Sequence, residues 1–328
     1  MNRRDVAVSL LLLVLGVVPC ISVAQQPGKV WRIGMLETTS MAANAANLNA
    51  FLKGIRELGY VEGQNLVLDY RSADGRADRF PNLATELVRA NVDIIVTRGT
   101  PATQAARAAT AQIPIVTAAS SDMVRTGLAK SLRRPEGNVT GLDPLAIDLS
   151  SKRVELIREV FPKATRILAV MNMANAAIVQ AWDETERAAR ALNFQATLFD
   201  VRRAEEFERA FNEGVKLRAS ALLLGQDGLM QANGKHVVEL ATKYRLPVIY
   251  PAGDYVDDGG LIGHGVSYPD LYRRAATYID KILKGAKAGD LPIERATKFD
   301  LVINVKTAKA LGIAIPRSVL LRADRVIE

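Results

Sequence analysis

The sequence predicts a two-lobed α/β protein in which each lobe holds a parallel β-sheet covered by helices. Short β-branched runs alternate with amphipathic helical patterns along the chain from residue 31 onward, and this alternation favours parallel sheets with helical crossovers. The length of 328 residues exceeds what one hydrophobic core usually organises. The pattern restarts after residues 138–142, which predicts a second unit of similar size and a first crossing between the units at Asn138 to Asp143.

The first unit opens with an apolar strand at residues 31–37. Leu48, Phe51, Ile55 and Leu58 then follow at helical spacing, and this helix ends at Gly59. The remaining predicted elements are a strand at 65–72, a helix at 79–90, a strand at 92–97, an Ala-rich helix starting near Pro101 and a strand at 113–119. This order requires right-handed crossovers, so we expect a parallel sheet covered on both faces.

The second unit repeats the same alternation. Its predicted elements are a helix at 149–160, a strand at 165–172, a helix at 176–192, a strand at 194–201, a helix at 204–217, a strand at 220–227, a helix at 229–243 and a strand at 246–254. A strand at 259–266, a helix at 268–285 and a last strand and helix at 299–312 complete the chain. These last pieces are too few for a third domain, so we expect them to return to the two units, with the chain crossing between the units more than once.

Composition and charge are those of an ordinary globular protein. Hydrophobic residues make up 49% and charged residues 24% of the chain. The formal net charge is +8, yet the basic residues are interleaved with acidic ones and cluster only as pairs such as Arg202-Arg203. We therefore expect no nucleic-acid partner.

Residues 1–24 have the pattern of a cleaved export signal. A basic start is followed by an apolar stretch too short to span a bilayer comfortably, and Ser22 to Ala24 fits a small-x-small cleavage site. Cys20 is the only cysteine, and Pro19 before it fits a lipoprotein site poorly. Anchoring at Cys20 and export by the twin-arginine route remain alternatives. We expect a periplasmic protein that, once cleaved, has no cysteine for a disulfide or a thiol nucleophile.

The junction at Gly99-Thr100-Pro101 predicts an anion-binding position. A buried, β-branched strand stops there, and Pro101 has the fixed φ that suits the first turn of a helix. Free backbone N–H groups and the Thr100 hydroxyl would then point off the end of the sheet, where the helix dipole favours a negatively charged group. We expect a ligand carboxylate at Gly99 and Thr100.

Polar residues follow six apolar runs, three in each unit. Parallel α/β sheets bind ligands outside the carboxyl ends of their strands, and hydroxyl and amide groups there suit a small polar ligand. At any single position the ordinary capping of the next helix is the better explanation, but six such positions shared between two units favour a ligand site. The candidate ligand-binding residues are Thr38, Thr39, Gly99, Thr100, Ser120, Asp122, Asn172, Asn175, Gln226, Asp227, Tyr250 and Asp254.

Motifs for catalysis and cofactors are missing. The first strand is not followed by a G-x-G-x-x-G fingerprint, and the chain contains neither a phosphate-binding G-x-x-x-x-G-K-[ST] loop nor a G-x-S-x-G elbow. The two histidines, His236 and His264, have no H-x-x-x-H spacing. We expect neither a cofactor nor a metal and no catalytic residues. A two-lobed hydrolase or transferase with Asp227 as its base remains an alternative.

Five blocks of sequence resemble the solute-binding proteins of ABC importers whose better understood relatives bind tryptophan or tyrosine. The resemblance runs from Trp31 to Glu328, and its strongest blocks are residues 54–71, 93–116, 133–142, 245–266 and 297–328. It implies a type I periplasmic-binding-protein fold, with two Rossmann-like lobes joined by three crossings and a ligand cleft between them. It also implies delivery to a membrane permease driven by a separate ATPase.

The sequence departs from this family's pattern at two turns. Asp122-Met123 stands where Asp-Pro is frequent, and Glu136 stands where Gly is common. The first change bears on the wall of the pocket and the second on the turn alone.

On this resemblance we expect clamshell capture of a small polar ligand, with an aromatic amino acid favoured. Lobe 1 would comprise residues 30–142 and about 266–297, and lobe 2 residues 143–265 and about 298–328. Asp227 and Asn175 are candidates for an ammonium or hydroxyl group, and Tyr250 for stacking on an aromatic part. We expect a monomer that contacts the membrane only through its permease. A sensory protein with the same cleft remains an alternative.

Overall fold

A computed structural model describes residues 29–328, so the predicted export signal and Cys20 lie outside the described residues. Within that range the strands are β1 Trp31–Glu37, β2 Leu66–Ser72, β3 Ile94–Arg98, β4 Ile115–Ala119, β5 Val139–Asp143, β6 Arg166–Met171, β7 Gln195–Asp200, β8 Ala221–Leu224, β9 Val248–Tyr250, β10 Ile262–Val266, β11 Glu294–Arg295, β12 Phe299–Asn304 and β13 Arg325–Ile327. The α-helices are α1 Ala45–Glu57, α2 Phe80–Arg89, α3 Thr100–Ala109, α4 Ala146–Val160, α5 Ala176–Ala191, α6 Phe207–Lys216, α7 Gly228–Ala232, α8 Gly234–Tyr244, α9 Asp254–Asp257, α10 Tyr268–Leu283, α11 Val305–Leu311 and α12 Arg317–Leu320.

The strands form two sheets. The first has six strands in the order β11-β5-β4-β3-β1-β2, and the second has seven in the order β13-β12-β10-β9-β8-β6-β7. Neighbouring strands are parallel except β10 and β12, which pair antiparallel. We call the first sheet with the helices packed on it lobe 1, and the second sheet with its helices lobe 2. The α/β fold with two parallel sheets agrees with the fold class that the sequence predicts.

Lobe 1 buries apolar side chains on both faces of its sheet, as parallel sheets do. Ile33 and Val96 pack with α1 and α10 on one face, and Leu36 and Ile95 pack with α2 and α3 on the other. Gly54 lets α1 approach α10 closely, because a Cβ atom there would lie 3.0 Å from the carbonyl oxygen of Arg273. Lobe 2 is built likewise, with Ala169 facing α4 and α5, and with Val170 on the side of α6 and α8.

The chain passes between the two sheets three times. The passages lie between β5 and α4, between β10 and α10, and between β11 and β12. Asp143 ties the first passage to the third, since its carboxylate accepts a hydrogen bond from the Leu145 N–H (2.9 Å) and its carbonyl accepts one from the Ala296 N–H (2.8 Å). Three adjacent segments of chain therefore link the two lobes, on one side of the space between them.

Some elements differ from those that the sequence predicts. Residues 139–143, predicted as a crossing, form β5, which lies between β11 and β4 in the first sheet. The helix predicted at 229–243 is broken at Asn233, whose side chain donates a hydrogen bond to the Leu229 carbonyl. The two- to four-residue elements α9, β11, α12 and β13 are too short to show a periodicity. None of the helices in residues 29–328 has the length and apolar character needed to cross a membrane.

Candidate functional site

A cavity lies between the two sheets at the carboxyl ends of their strands, where a small ligand is expected to bind. Its volume, counted with its opening to solvent, is about 790 Å³. Seven of the predicted site residues contribute to its wall: Thr38, Gly99, Thr100, Asn172, Asn175, Gln226 and Asp227. They come from both lobes, so the cavity is complete only when the lobes face each other.

The amino end of α3 forms part of the wall in lobe 1. Gly99 has φ 87°, a left-handed conformation that glycine adopts without strain, and its N–H donates to the Ala119 carbonyl at 2.7 Å. This geometry turns the chain from β3 into α3 and brings Thr100 to the cavity, with its hydroxyl 3.3 Å from that of Ser120. The first N–H groups of α3 have no acceptor within the helix, and the helix dipole adds positive potential there.

Asp227 places a carboxylate on the opposite wall, in lobe 2. It caps α7, accepting a hydrogen bond from the Leu229 N–H at 2.9 Å. Its oxygens also accept from the side-chain amides of Asn172 (3.1 Å) and Asn175 (2.9 Å). Three donors therefore hold this carboxylate in one orientation, and its remaining lone pairs are available to a donor on a ligand.

The other five predicted residues do not reach the cavity wall. Thr39 and Ser120 are buried behind it. Asp122 pairs with Arg125, and Asp254 starts α9 with an exposed side chain outside the wall. Tyr250 is fully buried and stacks on Tyr255, with ring centroids 5.1 Å apart. Tyr255 therefore occupies the wall position that the sequence analysis gave to Tyr250.

The wall residues that the sequence analysis missed include Phe80, Arg98, Tyr255 and Tyr268. Phe80 and Tyr255 stand within predicted helical or loop segments, where nothing local marks them as lining a cleft. Arg98 is the last residue of β3. Its position at the carboxyl end of a buried strand was the available signal, because a cation there cannot reach bulk water as easily as one on a helix face.

Arg98 is a buried cation beside the cavity, with 3% of its surface exposed. Its guanidinium lies 4.1 Å from the ring centroid of Tyr268, and Nη1 donates to the Asn44 side chain at 3.0 Å. Burial lowers the pKa of Arg98, while the phenol groups of Tyr272 and Tyr268 and the Glu37 carboxylate raise it by more, so the pKa lies above its usual value. Arg98 is therefore positively charged at neutral pH.

Glu37 is fully buried below Arg98 but makes no direct ion pair with it in the described residues. Both of its carboxylate oxygens accept from the Tyr272 hydroxyl, at 2.8 and 2.7 Å. Burial raises the pKa of Glu37, and the Arg98 charge opposes this without cancelling it. The Glu37 and Asp254 carboxylates thus both favour the charged form of Arg98 without a direct ion pair to it in the described residues.

A polar contact joins the two lobes at the inner end of the cavity. The Gln226 side-chain amide in lobe 2 donates to the Tyr268 hydroxyl in lobe 1, and its carbonyl oxygen accepts from Arg153 Nη2 at 3.3 Å. Arg153 is itself buried, and its Nε donates to the His264 carbonyl at 2.8 Å. Burial lowers the pKa of Arg153 to about 10, so it remains charged at neutral pH.

The lobes also approach each other closely at two glycines. A Cβ atom at Gly228 would lie 2.9 Å from Thr38 Cγ2, and one at Gly75 would lie 2.7 Å from Ala232 Cβ. Each contact joins residues of different lobes. The structure is therefore that of a cleft whose walls are in contact.

Comparison with known proteins identifies relatives along nearly the whole described chain. Residues 32–327 match the family model described as "ABC transporter substrate binding protein". A tyrosine-binding protein from Clostridioides difficile (strain R20291) is 30% identical over 262 residues, which is 80% of this chain and 75% of that protein.

Solved structures agree in fold. A conserved domain protein from Vibrio cholerae has a TM-score of 0.85 at 30% identity, covering 91% of this chain and 100% of that one. The ABC domain from Streptococcus pneumonia in complex with L-Trp has a TM-score of 0.83 at 28% identity (90% and 99% covered). The ligand-free, open structure of a substrate-binding protein with adhesive properties from Clostridium difficile has a TM-score of 0.65 at 26% identity (91% and 99% covered). At similar identity, this chain superposes better on the L-Trp complex than on the ligand-free, open structure.

Proposed function

Because the chain belongs to the family of ABC transporter substrate-binding proteins, we propose that it captures an α-amino acid with an aromatic side chain and passes it to a membrane permease. The observation that carries this proposal is the distribution of charge across one cavity. The amino end of α3 lies in lobe 1, and the Asp227 carboxylate lies in lobe 2. An α-amino acid carries the complementary pair, a carboxylate and an ammonium group.

We assign the ligand carboxylate to the turn at Gly99 and Thr100. The Gly99 N–H is already bonded to the Ala119 carbonyl, so the donors are the N–H groups at the start of α3 from Thr100 onward, where the helix dipole favours a negative charge. We assign the ammonium group to Asp227, with Asn175 holding the Asp227 carboxylate in place. Phe80 and Tyr255 supply apolar wall area from opposite lobes for the ligand side chain. The tyrosine-binding relative and the L-Trp complex support an aromatic side chain.

The capture mechanism is closure of the two lobes about the three passages of chain. The ligand contacts both walls, so it stabilises the closed form over the open one. The permease then recognises the closed form, and a separate ATPase drives transport, since this chain's sequence contains no phosphate-binding loop motif. One chain supplies both walls of the cavity, which supports a monomer. Membership of the substrate-binding family supports capture of the ligand without its transformation. Residues 1–24 supply the export signal that directs it to the periplasm.

Thermal unfolding with a panel of compounds tests this proposal. The protein is first freed of any carried-over ligand by unfolding and refolding, and its midpoint is measured with amino acids, small carboxylates, sugars and nucleosides. A ligand at about a thousand times its dissociation constant adds roughly 4 kcal/mol to the folded state. We expect a raised midpoint with aromatic amino acids and no consumption of them. A rise with sugars or nucleosides and with no amino acid would contradict the proposal.

A further inference from the structure

Three buried donors without partners gather at one side of the cavity. The described residues hold six buried side-chain nitrogen or oxygen atoms that lack a hydrogen-bond partner. Three of the six are Arg98 Nη2, Asn44 Nδ2 and Thr39 Oγ1. Asn44 and Thr39 belong to the loop between β1 and α1, and Arg98 packs against Asn44. Buried donors are nearly always paired in native proteins, so such a group indicates a missing acceptor.

Arg98 is the member of this group that forms part of the cavity wall. Its other contacts are accounted for, since Nη1 donates to Asn44 and the guanidinium face lies over Tyr268. No carboxylate in residues 29–328 accepts a hydrogen bond from Nη2, and those of Glu37 and Asp254 act on the guanidinium only from further away. Burying a cation without a directly bonded anion is costly. Nη2 is therefore left without a hydrogen-bond acceptor in the described residues, beside whatever occupies the cavity.

We propose that Arg98 is the residue that makes a free carboxylate on the ligand a requirement for binding. Its Nη2 donates to a carboxylate oxygen, and its full positive charge strengthens this hydrogen bond relative to one with a neutral amide oxygen. The backbone N–H groups of α3 can also donate to a neutral carbonyl, and they carry only partial charges, so they discriminate less between an acid and its amide than a full positive charge does. This inference rests on the proposed function, which places an amino acid in the cavity, and adds the group that separates acids from their amides.

The test compares each amino acid with its carboxamide, which keeps the ammonium group and the side chain but has no negative charge. Calorimetric titrations of L-tyrosine against L-tyrosinamide, and of L-tryptophan against L-tryptophanamide, give the ratio of affinities for acid and amide. The variant is Arg98→Gln. We expect the wild-type protein to prefer the acid by at least about thirtyfold, as for a buried, hydrogen-bonded charge pair, and the variant to lose most of this preference.

Two further variants keep the test decisive. Removing Arg98 leaves the buried Glu37 carboxylate without its cation, so the double variant Arg98→Gln/Glu37→Gln is measured as well. Arg89→Gln, at an exposed position on α2, is the control and should leave both affinities unchanged.

The outcomes distinguish a failure of the role given to Arg98 from a failure of the proposed function. A preference for the acid that survives in both Arg98 variants, even with weaker overall binding, would overturn the role of Arg98 and show that its place is structural, with ordered water as the missing acceptor. Failure of the wild-type protein to bind any amino acid or amide would instead overturn the proposed function itself.

Discussion

At the scale of single residues, the ends of β3 and β8 determine the chemistry of the cavity. Each strand is apolar up to its last residues and is followed by a helix whose amino end faces the space between the lobes. In lobe 1 that helix start offers N–H groups, and in lobe 2 it is capped by the Asp227 carboxylate. The same local arrangement thus yields opposite charges on the two walls.

Replacing Thr100 with valine tests the wall of lobe 1. The substitution removes the hydroxyl beside Ser120 while keeping the side-chain volume, so we expect ligand affinity to fall by roughly 1–3 kcal/mol through a lost or unpaired hydrogen bond. Calorimetric titration with L-tyrosine measures this loss. Thr85→Val, an exposed site on α2, is the matched control. Unchanged affinity in Thr100→Val would remove this hydroxyl from the site.

His264 gives the folded protein a pH dependence of stability. Burial, followed by the charges of Arg153 and Arg322, lowers the pKa of His264 from 6.5 to about 4, with Lys152 acting in the same direction and Asp324 opposing them. The unfolded chain therefore binds the proton first as the pH falls. The contribution is fully present above pH 6.5 and is lost progressively towards pH 4, by up to about 3 kcal/mol.

The substitution His264→Gln should flatten the fall in unfolding free energy between pH 6.5 and 4, measured by denaturant titration. His236→Gln is the control, because His236 is exposed on α8. Equal slopes for the wild type and His264→Gln would show that His264 does not titrate differently on folding.

The sequence identifies part of the site at this scale because strand ends can be read from hydrophobic runs. Gly99, Thr100 and Asp227 follow such runs directly and lie in the wall. Tyr250 and Tyr255 stand five residues apart in one polar segment, and only the packing of their rings decides which reaches the cavity. Arg98 was missed because a basic residue at the end of an apolar run is ordinarily solvated, and its burial depends on the tyrosines of α10, which is distant in sequence.

At the scale of elements, short helices decide how closely the lobes approach. The start of α7 lies against the end of β1 across the cavity, and Gly228 has no side chain at the point of contact. Two-residue and four-residue elements such as β11 and α9 carry too few residues for a periodicity, so their existence depends on tertiary pairing. The long helices and buried strands, whose patterns are local, are the elements that the sequence predicts well.

Replacing Gly228 with alanine tests the contact between the lobes. The new methyl group would lie 2.9 Å from Thr38 Cγ2 in the closed arrangement, and overpacking of this kind costs roughly 1–3 kcal/mol. An open arrangement avoids the contact. We therefore expect ligand affinity to fall by about 5- to 150-fold while the ligand-free protein unfolds at an unchanged or slightly higher temperature, since alanine favours helix over glycine.

Gly234→Ala is the matched control, because its added methyl would make only an ordinary contact of 3.4 Å with Tyr255. If Gly228→Ala lowers the stability of the ligand-free protein as much as it lowers ligand affinity, the added methyl group causes a packing defect within lobe 2 and does not specifically obstruct closure.

At the scale of the whole molecule, the chain's three passages between the sheets explain why neither lobe is contiguous in sequence. The last strand pair, β12 and β13, belongs to the second sheet. The elements that precede this pair and follow β10, namely α10 and β11, belong with the first sheet. Hydrophobic periodicity predicts these elements singly but contains no information on which sheet they join. That choice depends on long-range packing, such as the contact of α10 with α1.

The arrangement places one cavity, with charges of both signs, between walls that belong to different lobes. A ligand that bridges the walls is therefore coupled to closure, and a ligand that contacts one wall is not. An amino acid satisfies this requirement through its carboxylate and its ammonium group.

Calorimetric titration of the ligand-free protein with L-tyrosine and L-tryptophan tests this claim most directly. We expect saturable binding of at least one of them at one site per chain. Absence of heat and of binding with both, and with the other amino acids, would contradict the account, and the charges of the cavity would then have to serve a ligand of another class.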